Sequence, residues 1–365
     1  MPSPGAIAWT CSNAYDHAMA FNAGIIGASG FTGVELLRLL AGHPAIDVAV
    51  ATADTQAGTA AATLYPSLAA AYPDLQLSGF DPGSANDVGS VDGLDVVFLG
   101  LPHQVSMALA PQLVGRVGCV VDLSAAYRLR DASLYPRWYG FEHDQPELLA
   151  EAVYGLPERH RQALRTARLV ATPGCYVTTA TLALAPLLDA GLVAPSGLIV
   201  DAASGVSGAG RAPKADTTFC AVDEDFTAYG ILDHRHTPEI EQNLESQVLF
   251  TPHLAPMNRG ILATCYGRPA AGAAQSTGTL LDALHAAYDD EPFVVVIDGS
   301  PSTKATLGSN AVHVTARYDE RTGTVMAIAA LDNLTKGASG GALQSANVAL
   351  GLDETLGLPT VGVAP

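Results

Sequence analysis

The chain has 365 residues, which is enough for two domains that each bury a hydrophobic core. A hydrophobic content of 48% together with 36 Gly and 23 Pro is typical of a globular, loop-rich protein. The formal net charge of −18 argues against nucleic acid and against an anionic membrane as partners, whereas a small anionic substrate needs only a local positive site.

The cysteines and the N-terminal residues indicate the cellular location of the protein. Five cysteines are scattered along the chain without a Cys-x-x-Cys pair: Cys11, Cys119, Cys175, Cys220 and Cys265. This pattern is typical of a protein in a reducing cytoplasm and argues against a disulfide framework and against a structural zinc site. No apolar run reaches the roughly 18–20 residues that a membrane span needs. Residues 1–18 lack the basic and apolar regions of a secretory signal, so we expect a disordered extension or an over-called start there, and a cytoplasmic location.

The first half of the chain alternates strands and helices. Four strand-like and two helix-like runs follow one another at residues 21–28, 34–41, 48–53, 96–101, 104–114 and 119–123. This alternation predicts an α/β fold with a Rossmann-type, doubly wound parallel sheet over residues 19–173. Residues 131–168 are polar and are predicted to be irregular with one short helix.

A glycine-rich turn joins the first strand to the first helix. Gly27, Gly30 and Gly33 have a variant spacing of the dinucleotide fingerprint, in which glycines let a pyrophosphate approach the helix N-terminus. The alternative is a merely tight turn, and the strand–helix context favours the dinucleotide site. The acidic residue expected after the second strand is Asp54, which prefers a ribose 2′-OH and hence NAD, although Thr52 could still contact the 2′-phosphate of NADP.

A second turn presents a cysteine. Pro173 and Gly174 force a tight turn between an apolar strand and a helix-like run, which places Cys175 at the first turn of that helix. Unpaired N–H groups there favour the thiolate and predict a lowered pKa. The alternative is a small buried hydrophobic residue, which is the usual role of a free cysteine and the one we expect for Cys119 and Cys265.

The second half has a different pattern. Strand-like runs occur at residues 197–202, 247–254, 260–266, 293–297, 311–318 and 324–331. The last two flank a hairpin turn signal, so we expect a second, α+β domain at 174–332 with a mostly antiparallel sheet and helices on one face. A helix-like run at 339–350 follows.

A polar motif lies inside this second half. His234 and His236 precede a helix start in which Thr237 would be the N-cap and Pro238 the first helical residue. A histidine just before a helix N-terminus is placed for proton transfer. Two alternatives stay open: a metal site completed by Glu239, for which no further ligand cluster is evident, and a solvated helix cap.

Two segments could bind anions. The loop at 204–211 is rich in Ser and Gly, ends in Arg211 and precedes Lys214. Its hydroxyls, free N–H groups and two cations suit a phosphate leaving group, although glycine-rich loops are also common as plain surface structure. Ser124 and Arg128, just after a strand's carboxyl end, form the second candidate.

In this order the motifs resemble the N-acetyl-γ-glutamyl-phosphate reductase family of the aspartate-semialdehyde dehydrogenase-like superfamily. The resemblance runs from about Phe21 to Pro365. It is carried by residues 27–33 (GASGFTG), 101–103 (LPH), 122–125 (DLSA), 154–158 (YGLPE), 173–176 (PGCY), 204–211 (SGVSGAGR), 234–239 (HRHTPE), 259–264 (RGILAT) and 332–337 (DNLTKG).

The resemblance implies NADPH-dependent reduction of N-acetyl-L-glutamyl 5-phosphate to N-acetyl-L-glutamate 5-semialdehyde with release of phosphate, a step of arginine biosynthesis. It also implies a cytoplasmic homodimer or homotetramer whose Rossmann domain is completed by residues 333–365. Cys175 would form a thioester, and His236, in preference to His234, would transfer the proton. Many relatives have an arginine near the position of Asp54, and this arginine would hold the 2′-phosphate of NADP. Because this chain has an aspartate there, NAD is not excluded as the cofactor.

The resemblance also implies contact residues, and it implies no metal. Cofactor contacts are expected at Gly27, Ser29, Gly30, Phe31, Thr32, Gly33, Thr52, Pro102 and Asn333. Substrate contacts are expected at Ser124, Arg128, Ser207, Arg211, Lys214 and Glu239. Rival interpretations are a related dehydrogenase for another amino-acid semialdehyde, a cysteine acyltransferase or hydrolase, and a non-catalytic NADP-sensing Rossmann protein.

Overall fold

A computed structural model of the chain describes residues 20–273 and 276–363. The extension expected at residues 1–18 lies outside the described residues, as does residue 19. Two sheets organise the described chain: a six-stranded parallel sheet in the N-terminal half and a seven-stranded mixed sheet in the C-terminal half. The predicted fold class, a Rossmann sheet plus a second α+β unit, is confirmed. No helix in these ranges is long and apolar enough to cross a membrane.

The first sheet is doubly wound. Its strands and helices follow in the order β1 (Phe21–Ile26), α1 (Phe31–Leu40), β2 (Ile46–Thr52), α2 (Ala61–Leu64), α3 (Ala85–Gly89), β3 (Val96–Leu99), α4 (His103–Leu113), β4 (Cys119–Asp122), α5 (Tyr135–Tyr139), α6 (Pro146–Glu151), β5 (Val153–Tyr154), α7 (Pro157–Leu164) and β6 (Leu169–Ala171). All pairs are parallel in the order β2-β1-β3-β4-β6-β5. Val96 and Phe98 are buried in one core while Val97 and Leu99 are buried in another, so both faces are covered.

The segment at residues 131–168 is more regular than its polarity predicted. It forms three short helices and an edge strand instead of irregular structure with one helix. Each of these helices has a proline in its first turn, where the fixed φ is compatible with a helix and no N–H is needed. Helices of five to eight residues span too few turns for periodicity to reveal them.

The second sheet is covered on one face only. Its elements follow in the order α8 (Cys175–Asp189), β7 (Leu198–Gly205), α9 (Phe219–Val222), β8 (Thr227–Ala228), α10 (Thr237–Leu244), β9 (Val248–Ala255), β10 (Ile261–Gly267), α11 (Thr277–Tyr288), β11 (Val294–Val296), β12 (Val312–Asp319) and β13 (Thr324–Leu331). The strand order is β11-β12-β13-β10-β7-β9-β8, with four antiparallel and two parallel pairs, so the predicted mostly antiparallel sheet is confirmed. Val200 and Ala263 are buried in the core that α8 and α11 share, whereas Ile199 and Leu249 are exposed on the open face.

The chain then returns to the first sheet. A five-residue π-helical turn at Thr335–Ser339 leads into α12 (Gly340–Ala349). Ala342, Leu343 and Ala346 of α12 are buried in the core that contains α1. The last helix therefore completes the layer around the first sheet although it follows the second sheet in sequence.

Candidate active site

The turn from β1 into α1 is closely packed. Gly27 has a φ of +96°, in the left-handed region that favours glycine, and its N–H donates to the Thr52 carbonyl (3.2 Å). A Cβ on Gly33 would lie 2.5 Å from the Gly27 carbonyl oxygen, closer than packed atoms approach. Gly30 precedes α1 without a side-chain cap, so backbone N–H groups are left for an anion at the helix N-terminus. These features fit the pyrophosphate of a dinucleotide.

The carboxyl ends of β2 and β3 border this glycine turn. Thr52 ends β2, and its Oγ1 is buried without a hydrogen-bond partner among the described residues. Pro102 precedes α4, close to Gly100, whose backbone touches Gly27. An orphaned hydroxyl beside a glycine cradle is a position that a bound nucleotide could satisfy. Asp54 is exposed just beyond β2.

Tyr65 links the glycine turn to a residue from the second half of the chain. The Tyr65 hydroxyl donates to the Ser29 carbonyl (2.8 Å), and the Arg211 guanidinium lies 5.8 Å from the centre of the Tyr65 ring. Phe31 and Thr32 begin α1 immediately after this contact. Arg211, which the resemblance assigns to the substrate, is thus placed beside the glycine turn.

Asn333 connects two loops near the end of β13. Its Oδ1 accepts the Gly260 N–H (2.7 Å), and its Nδ2 donates to the Ser207 Oγ (2.9 Å). Both polar ends of the amide are therefore engaged with the protein. Lys214 is exposed. Within the described part of the chain, neither Ser207 nor Lys214 makes a hydrogen bond or ion pair with residues 172–176.

Cys175 is the first residue of α8 and follows the turn at residues 172–174, called the cysteine turn below. Burial raises the pKa of the Cys175 thiol to about 11, and the Arg128 guanidinium and the N–H groups of Tyr176 and Cys175 oppose this only in part. The predicted lowering of this pKa is therefore wrong. The helix N-terminus is present, but removal of water from the thiol outweighs it.

A buried carboxylate holds the cysteine turn. Glu239 accepts hydrogen bonds at Oε1 from the Gly174 N–H (3.0 Å) and the Tyr154 hydroxyl (2.6 Å). Arg128 lies 3.7 Å from the other oxygen of this carboxylate and donates through Nε to the Thr172 carbonyl (2.6 Å). Glu239 and Arg128, both expected to contact substrate, thus fix the backbone that presents the thiol.

Ser124 is engaged with a buried carboxylate. Its Oγ donates to Asp122 Oδ2 (2.7 Å) and accepts the Ala126 N–H (3.1 Å). Burial raises the pKa of Asp122, and the bonds from Ser124 and the charge of Arg128 oppose the rise. These bonds shape the loop that carries Arg128.

His236 packs against the cysteine turn. It is itself the N-cap of α10, so the predicted N-cap Thr237 is instead the first helical residue. A Cβ on Gly174 would lie 2.5 Å from His236 Nε2, and His236 Nδ1 is buried without a partner among the described residues. Burial lowers the pKa of His236 well below its usual range, and His234 and Arg128 lower it further. His236 is therefore a neutral imidazole that can accept a proton.

His234 supports His236. Its Nδ1 accepts the backbone N–H of His236 (3.1 Å), and burial together with Arg235 lowers the pKa of His234 to about 4. Three aromatic rings meet its imidazole edge to face: Tyr176, Tyr229 and Phe250. The geometry thus brings His236, the histidine favoured from the sequence, against the turn and encloses His234 beside it.

Cations gather here despite the net charge of −18. Arg235 Nη1 lies 3.0 Å from His103 Nε2, and burial with the charges of Arg235 and Arg128 lowers the pKa of His103 to about 4. A local positive potential suits an anionic substrate. Across residues 20–273 and 276–363, no group of three or more His, Cys, Asp or Glu residues could hold a metal ion.

Three contacts at the site were not predicted. Tyr154 orients Glu239. Gly337, far along the chain, is so close that a Cβ there would lie 2.8 Å from the Cys175 Cβ. Beside it, Lys336 forms a buried ion pair. In the sequence, these residues were marked only by lying within two motifs of the family resemblance, at 154–158 and 332–337. Their contacts could not be predicted, because contacts between distant segments follow no spacing rule.

Two protein-family models match the chain. "Semialdehyde dehydrogenase, NAD binding domain" matches residues 22–167, and "Semialdehyde dehydrogenase, dimerisation domain" matches residues 175–333. The first match ends at residue 167 and the second begins at residue 175, on either side of the segment in which β6 and the cysteine turn lead from the first sheet to the second.

Over nearly its whole length the chain is similar to proteins named N-acetyl-gamma-glutamyl-phosphate reductase. The relative from Citrifermentans bemidjiense is 46% identical over 350 residues, which cover 93% of this chain and 99% of the relative. The relative from Symbiobacterium thermophilum is 47% identical over 353 residues, which cover 94% of this chain and 99% of the relative.

Solved aspartate semialdehyde dehydrogenases share the fold. Enzyme II from Vibrio cholerae, complexed with ASA, has a TM-score of 0.66 at 16% identity and covers 91% of this chain and 98% of its own. The Candida albicans enzyme, solved with NADP, has a TM-score of 0.65 at 16% identity and covers 90% of this chain and 100% of its own. At these identities the likeness shows the fold alone.

Proposed function

This chain belongs to the N-acetyl-gamma-glutamyl-phosphate reductase family, and on that premise we propose that it reduces N-acetyl-L-glutamyl 5-phosphate with NADPH. The products would be N-acetyl-L-glutamate 5-semialdehyde and phosphate, in the cytoplasm, as a step of arginine biosynthesis. The observation that carries the proposal is Cys175 at the start of α8, with the neutral His236 packed against the same turn and a dinucleotide cradle in the same chain.

Acyl transfer would start with both groups neutral. His236 accepts the thiol proton of Cys175 as the sulfur attacks the acyl carbon, so the thiolate exists only while it reacts. The bond between the acyl carbon and the phosphate oxygen breaks, and His236 passes the proton to the departing phosphate. A thioester remains on Cys175. Arg128 and Arg235 offset the negative charge of the substrate, and Glu239 keeps Gly174 in place.

Reduction would use the same residues. When bound, the nicotinamide cofactor supplies the hydride. The N–H groups of Cys175 and Tyr176, which lower the pKa of the thiol, would stabilise an oxyanion on the neighbouring carbon. His236 takes a proton from solvent and gives it to that oxygen. His236 then takes the hydroxyl proton back and passes it to the sulfur as the carbon–sulfur bond breaks, which releases the aldehyde and restores the thiol.

We assign cofactor binding to the glycine turn and the strand ends beside it, namely Gly27, Ser29, Gly30, Phe31, Thr32, Gly33, Thr52 and Pro102. Asn333 contributes through the loops it connects. The leaving phosphate of the substrate would be bound by a hydroxyl and two cations, from Ser207, Arg211 and Lys214. Asp54 favours a free ribose 2′-OH, so the NADPH preference of this chain is expected to be smaller than that of relatives with an arginine there.

The open face of the second sheet supports a homo-oligomer. Ile199 and Leu249 are register partners on β7 and β9, and both are exposed. An apolar sheet face of this kind is stable in water when a second copy covers it. The family description of this half as a dimerisation domain agrees, and we propose a homodimer or a tetramer built from two such dimers.

Turnover with the named substrate tests the function. Purified protein is mixed with NADPH and N-acetyl-L-glutamyl 5-phosphate, and NADPH absorbance and released phosphate are followed together. We expect equal amounts of NADPH oxidised and phosphate released. β-Aspartyl phosphate is the control substrate, and NADH the control cofactor. Turnover of β-aspartyl phosphate without turnover of the N-acetylated substrate would overturn the proposal.

A further inference from the structure

The π-helical turn at Thr335–Ser339 lies between the second sheet and α12. The N–H of Gly337 donates to the Asp332 carbonyl (3.0 Å), and the N–H of Ser339 donates to the Leu334 carbonyl (2.8 Å), both with the five-residue spacing of a π-helix. Such turns are uncommon and occur frequently at functional sites.

Successive residues of this π turn contact different elements. The Thr335 Oγ1 donates to Glu35 Oε1 on α1 (2.8 Å). The Ser339 Oγ donates to the carbonyl of Thr32 (2.8 Å), one of the residues that follow the glycine turn. The π turn is therefore joined directly to the helix that begins the dinucleotide cradle.

Lys336 anchors the π turn on the opposite side. Its ammonium lies 2.5 Å from Glu158 Oε1 on α7 and 2.7 Å from Gln344 Oε1 on α12. The side chains of Lys336 and Glu158 are completely buried, and Glu158 Oε2 has no partner among the described residues. Desolvation offsets much of the attraction in such a pair, so its main effect is to hold geometry.

Gly337 touches the nucleophile. A Cβ on Gly337 would lie 2.8 Å from the Cys175 Cβ and 3.3 Å from the Cys175 Cα. The φ of Gly337 is not positive, so its backbone conformation would allow any residue. Glycine is required here because the π turn approaches Cys175 so closely. The backbone of the π turn forms the wall against which Cys175 rests.

We propose that the π turn is the positioning element of the site and sets the distance between the Cys175 thiol and the cofactor cradle. Gly337 supplies the contact with Cys175, Ser339 the bond to the cradle, and the Lys336–Glu158 pair the fixed orientation. None of these side chains contacts the thiol sulfur in a reacting role, so they are positioning residues. The effect on turnover rests on the function proposed above, whereas the effect on the thiol does not.

Gly337→Ala tests the contact, and Gly267→Ala is its matched control. A Cβ on Gly267 would lie 2.6 Å from Val193 Cγ1, so this variant also overcrowds the core of the second sheet, away from Cys175. Three quantities are measured for each variant: the iodoacetamide alkylation rate of Cys175, the dissociation constant for NADPH, and kcat. The unfolding midpoint reports stability.

We expect Gly337→Ala to slow Cys175 alkylation at least about tenfold, because overcrowding displaces and covers the thiol. We expect kcat to fall about 100-fold, the cost of a misplacement near 1 Å. NADPH binding should stay within about twofold of wild type, because the glycine turn is unchanged. Gly267→Ala should lose comparable stability while alkylation and kcat stay close to wild type.

Near-normal alkylation and kcat in Gly337→Ala would overturn the proposal, as would a parallel loss of both in Gly267→Ala. If Gly337→Ala does not fold, the double variant Lys336→Met with Glu158→Gln gives the answer, since it removes the ion pair while leaving no buried charge. Alkylation slowed at least about fivefold supports the proposal, and unchanged alkylation overturns it. Alkylation needs no substrate, so an inactive wild type would refute the proposed function and still leave this comparison decisive.

Discussion

Cys175 has two opposing influences on its thiol: backbone N–H groups and Arg128 lower its pKa, and burial raises it to about 11. His236, beside the same turn, has its pKa lowered well below the usual range by burial and by neighbouring cations. Both shifts favour the uncharged forms. We therefore expect an uncharged thiol and an uncharged imidazole before substrate binds, and a thiolate–imidazolium pair only during the reaction.

The pH dependence of Cys175 alkylation in substrate-free enzyme follows from these two shifts. The rate should keep rising with pH through and beyond neutrality toward the thiol pKa of about 11. Alkylation by iodoacetamide, followed by mass spectrometry of the peptide that contains Cys175, measures it. A rate that is already constant below pH 7 would show a preformed ion pair and contradict this account.

The two histidines should differ in their effect on turnover. His236→Asn removes the group packed on Gly174 and should lower kcat/KM by about 100-fold or more, the usual loss for a general acid–base residue. His234→Asn removes a support enclosed by aromatic rings and should lower kcat/KM by about tenfold, the lower end of the loss for a residue that orients another functional group. Steady-state kinetics of both variants decide the matter. A greater loss in His234→Asn would reverse the assignment.

Among the secondary-structure elements, α1 is fixed to the C-terminal half by a buried carboxylate. Glu35 on α1 lies 2.7 Å from Arg259, which also pairs with Asp332 at 2.9 Å. Burial alone would raise the pKa of Glu35, but Arg259 and Arg38 lower it from 4.5 to about 2. This contact holds the helix of the dinucleotide cradle against the end of β13.

This ion pair should appear in the acid stability. Since the folded pKa of Glu35 lies below its unfolded value, the stabilisation is complete above pH 4.5 and is lost as pH falls toward 2. The shift corresponds to on the order of 3 kcal/mol. Urea unfolding of Glu35→Gln should show lower stability at neutral pH and a flatter loss between those pH values. The exposed pair of Asp92 and Arg116 gives the control: Arg116 also lowers the pKa of Asp92, but solvent screens this pair, so Asp92→Asn should change the acid limb much less than Glu35→Gln does. Identical acid limbs in wild type and Glu35→Gln would contradict the assignment.

The sequence predicted elements and missed the contacts between them. Buried strands such as Val96–Leu99 and the turn before Cys175 have local patterns, and both were located. The bond from Gly174 to Glu239 joins residues 65 positions apart, and Gly337 reaches Cys175 from still farther along the chain. Periodicity and turn chemistry describe neighbours in sequence. The protonation of Cys175 depends on burial, which only the assembled fold determines.

On the scale of the whole molecule, the second sheet has helices on one face and exposed apolar side chains on the other. Leu249 is 49% exposed, beside its register partner Ile199 at 36%. A single copy leaves this face in water. The open face is the region where assembly is expected to be most sensitive to mutation.

Leu249→Arg should therefore disrupt the oligomer. A charge at the centre of an apolar interface is costly to bury, so we expect a smaller species by light scattering after size-exclusion chromatography. Val361→Arg is the control, because Val361 is 79% exposed and lies outside the sheet. An unchanged mass for Leu249→Arg, or an equal effect of Val361→Arg, would place the interface elsewhere.

The most direct test of the account is turnover by Cys175→Ser with NADPH and N-acetyl-L-glutamyl 5-phosphate. Serine has nearly the same shape but a much weaker nucleophile, and the glycine turn that binds the cofactor is unaffected. We predict that Cys175→Ser binds NADPH as wild type does, forms no covalent acyl adduct and oxidises no NADPH. Oxidation of NADPH at a rate near that of wild type would contradict the central claim that Cys175 carries the acyl group.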